Sequence, residues 1–231
     1  MNRIPIVTKN LLLINILMWF LDISLRSRGI DLQTMLGMCD YRLVDGMGRQ
    51  LFHFWQPLTY MFMHANFSHL FCNMFAVWMF GSALEREWGE KRYLTYYLIC
   101  GLGAACVQQL VWLISGPGIT IGASGAVFGI LLAFGWLFPE VRMFLLFLPI
   151  PIRARTFVFL YAFFELTAGI VGKAGDNVAH FAHLGGMLFG ALVILWWQYV
   201  EPRLREKRRT LDSTQDKDYS HYHYRRNEEK D

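Results

Sequence analysis

Apolar and polar positions alternate on a long scale in this chain. Six apolar runs stand out, at about 8–25, 57–83, 93–114, 121–138, 156–171 and 177–199. A helix needs about 20 residues to cross the hydrocarbon layer of a bilayer, with a range of about 17–25. The pattern therefore predicts an all-α, polytopic membrane protein with six transmembrane helices. The fifth run is short and would borrow length from "PIPIRAR". The membrane domain is expected over 1–200. A charged tail without apolar periodicity, 201–231, is expected to be disordered and cytoplasmic.

Charge adds a direction. Short cytoplasmic loops carry an excess of Lys and Arg. With the N-terminus inside, the inner segments hold Arg3 and Lys9, then Arg86, Lys91 and Arg92, then Arg142, Arg153 and Arg155, and finally the basic tail. The outer loops after the third and fifth runs hold only Lys173. The long first loop is the exception, with four arginines and three aspartates over 26–56. Both termini are expected in the cytoplasm. "LFHFW", 51–55, is too apolar for a water-exposed loop and is expected at the membrane interface. Composition agrees: 55% of the residues are hydrophobic and 17% charged, against about 25% charged in soluble domains. Cys39, Cys72, Cys100 and Cys106 have no paired spacing or zinc pattern and read as small packing residues.

The chemistry lies in polar groups inside the apolar runs, where each is costly. They are His64, Asn66, Ser68, His69 and Asn73 in the second run, Ser124 in the fourth, Glu165 in the fifth, and Asn177, His180 and His183 in the sixth. His69 and Asn73, four apart, share one helix face. His64 and His69, read on one helix, diverge by about 140°. Gly125 and Gly129 form one small-residue stripe, and Ala182, Gly186 and Gly190 form another. Such stripes let two helices approach closely. That approach would bring Ser124 to His183. A serine needs an adjacent base to act as a nucleophile, and histidine is the commonest such base. The His69 ring, the Asn73 amide and the Ser124 backbone N–H are candidate donors to an oxyanion. No orienting carboxylate is evident. Asp176 is about two turns from His183, roughly 10 Å, so a Ser124–His183 dyad is expected. Glu165 reads as a structural, hydrogen-bonded carboxyl, and His180 as a packing or mouth-lining residue.

These residues resemble the rhomboid family of intramembrane serine proteases. "GASG", 122–125, is similar to the family's GxSG motif, which implies Ser124 as nucleophile. "AHLGGMLFG", 182–190, resembles its last core helix, which implies His183 as base. "HANFSHLFCN", 64–73, resembles the second-helix signature, which implies oxyanion roles for His69 and Asn73 and a structural one for His64. Trp55 resembles the tryptophan of a first-loop WR pair, with Gln56 in the arginine's place. Glu85 matches a structural acidic residue. Phe128 stands where a tyrosine often stacks on the catalytic histidine. The resemblance covers about 10–200. It implies cleavage of peptide bonds in or near the transmembrane segments of single-span membrane proteins, by a multi-pass protein of the lipid bilayer, with no cofactor, metal or nucleic acid. A bacterial plasma membrane suits the compact core. Two other readings remain: a non-proteolytic rhomboid-like factor in membrane-protein handling, and a metal, haem or ion transporter built on His64, His69, His180 and His183.

Overall fold

The computed structural model describes residues 3–145, 148–171, 179–204 and 206. Two compact units divide it, Met1–Ala191 and Leu192–Asp231, and the first carries every candidate site residue placed below. The expected tail lies almost entirely outside the described residues, as do Asp176 and Asn177.

Among the described residues, five helical stretches are long and apolar enough to cross a membrane: 6–26, 67–88, 90–115, 154–171 and 180–204. The first is α1 (Ile6–Arg26). It is built inside out, as the bilayer requires. Its buried positions Thr8, Leu11, Asn15 and Asp22 follow helical spacing and are mostly polar. Leu13, Leu17, Phe20 and Leu21 point outwards instead. Its N-terminal N–H groups, which no helix satisfies internally, are taken by Glu85. That carboxylate accepts from Val7 N at 2.8 Å, from Thr8 N at 2.7 Å and from the Thr8 hydroxyl at 2.7 Å. A negative group at a helix N-terminus also complements the helix dipole. The structural role expected of Glu85 is thus a cap on α1.

The first loop contains the short helix α2 (Leu32–Leu36) and strand β1 (Met38–Cys39). Gln56 is fully buried at its centre. Its carbonyl accepts from Cys39 N and His53 N, at 3.3 and 3.2 Å. Its amide donates to Leu51 O at 2.9 Å and to Thr34 O at 3.3 Å. A neutral amide thereby ties both ends of the loop together where an arginine was the family pattern. Phe54, 85% exposed, projects from the aromatic stretch.

The second apolar run is not one helix. It starts as the short α3 (Gln56–Thr59), tightens through Tyr60–Phe62, and breaks before Asn66. The Asn66 side chain then caps α4 (Phe67–Ala76) by accepting from His69 N at 2.9 Å. A π-type turn, Val77–Gly81, continues into α5 (Ser82–Trp88). His64 therefore precedes the helix, and the 140° angle expected between it and His69 does not apply. The two rings meet edge-on at 4.9 Å.

α6 (Glu90–Ser115) leads to strand β2 (Ile119–Thr120), which pairs antiparallel with β1. α7 (Ser124–Leu137) follows and is buried on nearly every side. At 14 residues it spans about 21 Å, less than the roughly 30 Å hydrocarbon layer. Glu140, Arg142, Arg153 and Arg155 cluster just beyond its C-terminus, with Arg155 2.9 Å from Glu140. Charges there suit an aqueous surface, and from such a surface α7 is too short to reach across the hydrocarbon layer. The last two residues before it, Gly122 and Ala123, are buried, and backbone hydrogen bonds tie the irregular segment to neighbouring chain. Asp40 N donates to Gly118 O, and Gly122 N to Tyr60 O.

A hairpin absent from the sequence reading, β3 (Arg142–Leu145) with β4 (Leu148–Arg153), joins α7 to α8 (Ala154–Val171). "PIPIR" thus belongs to a strand rather than to the fifth span. Prolines suit an edge strand and break a helix. The last helix of the site is α9 (His180–Leu195).

Candidate active site

The glycine stripes do bring two helices into contact. A Cβ placed on Gly186 would land on the Gly125 carbonyl, and one placed on Gly129 would lie 3.2 Å from the Gly186 carbonyl. α7 and α9 can meet so closely only because both carry hydrogen there. Gly190 points elsewhere, towards the Tyr96 hydroxyl.

That contact positions Ser124, the first residue of α7. Its Oγ lies 2.8 Å from His183 Nε2. His183 is 9% exposed, and its ring is fixed in two ways. Phe128 stacks on it at 4.2 Å with 7° between the planes. Tyr161 of α8 stacks on the other face of Phe128 at 5.0 Å. The second fixing group was not foreseen. His183 Nδ1 lies 2.9 Å from Glu165 Oε2. The same oxygen also holds His180 Nδ1, at 2.7 Å.

The sequence reading expected a dyad and set Glu165 apart as structural. In the fold, serine, imidazole and carboxylate form one hydrogen-bonded chain across α7, α9 and α8. Sequence spacing could not reveal this, because Glu165 comes from a separate helix whose rotation the apolar pattern leaves free. The signal that existed was the carboxyl itself, nearly buried in an apolar run, where an unpaired charge is costly. An acceptor at Nδ1 keeps the proton there, so Nε2 is free to accept from the Ser124 hydroxyl.

The oxyanion candidates lie on the other side of Ser124. Gly122 has φ +128° and leaves room that a side chain would fill. A Cβ there would sit 2.6 Å from His69 Nε2 and 3.6 Å from Ser124 Oγ. Imidazole and hydroxyl therefore flank one small space. Ala65 N–H approaches His69 Nδ1 at 3.5 Å. That favours the tautomer with the proton on Nε2, facing Gly122. The first backbone N–H groups of α7, from Ser124 onward, precede the first helical bond, Val127 N to Ala123 O at 3.0 Å. They are free of intrahelical partners and sit at the positive end of the helix dipole. Asn73 is buried, and its amide donates to its own helix, at the His69 carbonyl, 3.0 Å away. One of its two N–H donors remains for another acceptor.

Among the described residues, Glu165, His180 and His183 also form a group whose ligating atoms all lie within 4.8 Å of one another. His64 and His69 are not part of it. The four histidines of the transporter reading do not converge on one centre.

A buried serine–histidine–carboxylate chain in a helical membrane bundle defines the class. The chain belongs to the rhomboid family: the model of the Rhomboid domain matches residues 51–199. It is similar to RHOMBOID-like protein 5 of Arabidopsis thaliana, 32% identical over 171 residues, covering 71% of this chain and 50% of that protein. It is 32% identical over 152 residues to the mitochondrial Rhomboid protein 1 of Saccharomyces cerevisiae, covering 64% and 42% of the two chains. The mitochondrial presenilin-associated rhomboid-like protein of Bos taurus is 32% identical over 162 residues, with 62% and 40% covered. The chain spans half or less of the length of these three relatives.

Proposed function

We propose that this protein is an intramembrane serine endopeptidase acting on single-span membrane proteins. The observation that carries the reading is the 2.8 Å contact from Ser124 Oγ to His183 Nε2, continued from Nδ1 to Glu165. Ser124 attacks a substrate carbonyl as His183 takes the hydroxyl proton at Nε2. Glu165 accepts from Nδ1–H throughout and stabilises the imidazolium that forms. His69 Nε2–H, the Ser124 backbone N–H and Asn73 donate to the developing oxyanion. His183 then gives its proton to the leaving amine. Water later enters, loses a proton to His183 and takes the acyl group, and His183 returns that proton to the Ser124 oxygen. No cofactor takes part in these steps.

Family membership supports the reading, as does the shortness of α7, which would leave Ser124 within the apolar layer, where a transmembrane substrate would offer its backbone. A small residue at the cut and a locally unwound helix suit the narrow space beside Gly122. The Lys and Arg bias assigns both termini to one and the same inner face of the membrane. The relatives named above are eukaryotic, two of them mitochondrial by name, and lend no support to a bacterial plasma membrane. The proposal is therefore of a multi-pass membrane protein without a stated compartment.

The test uses purified protein in liposomes with a panel of single-span substrates carrying small residues near one membrane surface. Wild type should cut at least one. Ser124→Ala and His183→Ala, both folded, should leave it intact. Equal cutting by all three proteins would sink the assignment. Failure of wild type to cut any substrate, together with failure of a serine-reactive phosphonate to label Ser124, would favour the non-proteolytic rhomboid-like reading.

A further inference from the structure

We propose that Glu165, His180 and His183 form a binding site for a divalent transition-metal ion of the zinc type, and that the bound ion switches hydrolysis off. The binding half stands on its own. The switching half rests on the protease reading above.

The donor set is the first argument. Two imidazole nitrogens and one carboxylate oxygen suit zinc, whereas magnesium and calcium call for oxygen ligands. Geometry is the second. The three ligating atoms lie within 4.8 Å of one another, and the two His–Glu pairs are already at 2.7 and 2.9 Å. Zinc bonds of about 2.0–2.2 Å place tetrahedral donors roughly 3.3 Å apart. Each pair need open by only about half an ångström to admit the ion. His180 and His183 are three apart on α9 and share a face, and Glu165 is presented by α8. Two packed helices thus hold the set in place. Access is the third argument. His180 is the first residue of α9, and its side chain is 14% exposed. An ion can reach the site from the mouth, and a water or hydroxide can fill its fourth position. Hydroxide there would also cancel the remaining positive charge, which the apolar surroundings disfavour.

The site also gives His180 a use. Hydrolysis needs one partner for Glu165, namely His183, and His180 has no step in it.

Inhibition follows from the position of one proton. In the working state His183 holds its proton on Nδ1, against Glu165, and offers a bare Nε2 to Ser124. An ion on Nδ1 requires that nitrogen's lone pair. The proton passes through water to Nε2, with no net gain or loss for a neutral ring. Nε2–H then points at the Ser124 oxygen as a donor. It has no lone pair left to take the serine's proton, and the hydroxyl is not activated. Glu165, bound to the ion, no longer orients the ring for catalysis.

Two arms test this. In the first, Ser124→Ala protein carrying a histidine-free purification tag is equilibrated with zinc chloride in detergent. Bound zinc is then measured by atomic emission after desalting. His180→Asn is introduced into the same background, because asparagine can still donate to Glu165 but ligates zinc poorly. One equivalent of zinc should be lost. Equal zinc in both proteins overturns the site. In the second arm, cleavage by otherwise wild-type protein is titrated with zinc, each protein scaled to its own zinc-free rate. The concentration that halves the rate should rise at least about tenfold in His180→Asn, and chelator should restore wild-type activity. Site-specific binding without inhibition overturns the switch but leaves the site. If no substrate is ever cut, the protease reading fails while the first arm still decides the metal site.

Discussion

At the residue scale the proposed chemistry rests on how one imidazole is held. Glu165 makes the sharpest prediction. Glu165→Gln removes the charge that stabilises imidazolium and disturbs the tautomer. Its kcat should fall by about 10²- to 10⁴-fold, the range typical of lost base or orientation. KM should change little, since the carboxylate does not face the space beside Gly122 and Ser124. A steady-state assay on a cleavable substrate separates the two. A fall in thermal stability with kcat intact would return Glu165 to a purely structural role. Ser124, His183, His69 and Asn73 could be selected from the sequence because short motifs carry them. Their contacts could be guessed because glycine stripes fix which helix faces which. Glu165 lacked both aids. It has no motif around it, and α8 offers no stripe of small residues to set its rotation. For the same reason the metal reading joined His180 and His183 to His64 and His69 rather than to Glu165.

At the scale of elements, α7 and α9 are the joint on which the site depends. Gly186→Ala puts a methyl group on the Gly125 carbonyl, which is backbone and cannot step aside. Overpacking of this kind costs about 1–3 kcal/mol. The helices should separate enough to stretch the Ser124–His183 contact. Thermal scanning should show a lower Tm than wild type, and activity should be lost even well below it. Gly46→Ala, with nothing within 4 Å, is the matching control and should change neither. Most helices could be read from hydropathy because lipid selects length and apolarity directly. The exceptions have local causes. Averaging over 57–83 concealed the break that Asn66 ends by capping α4. The short fifth run was expected to borrow length from 149–155, although Pro149 and Pro151 favour strand. α7 passed for a full span because apolar residues precede it, although they lie in an extended segment bonded to the first loop.

At the scale of the whole unit, the first loop is tied to the membrane body by a few polar contacts, and one of them titrates. Asp40 is buried, and the Arg42 guanidinium grips it in two places, at 3.1 and 2.7 Å. Arg42 also donates to the carbonyl of Trp112 at the end of α6. The hydrogen bond from Arg42 holds the Asp40 carboxyl below the usual carboxylate range, against the opposing effect of burial. A depressed value in the fold means stability that is present above the unfolded pKa of about 3.9 and lost as pH falls through the lower, folded one. Wild type should therefore exceed Asp40→Asn in Tm near pH 7, and the gap should close in acid below that range. A gap independent of pH would mean that Asp40 works by shape rather than charge.

The order of the reacting groups along the chain has a consequence for how the protein is made. Ser124 is synthesised first, Glu165 next, and His183 last, 59 residues after the serine. A ribosome that has delivered α7 and α8 to the membrane has delivered a nucleophile and a carboxylate with no base between them. Under the proposed chemistry, every nascent or prematurely terminated chain that ends before residue 183 is inert. On that reading the bilayer meets a working hydrolase only when the final helix of the site arrives.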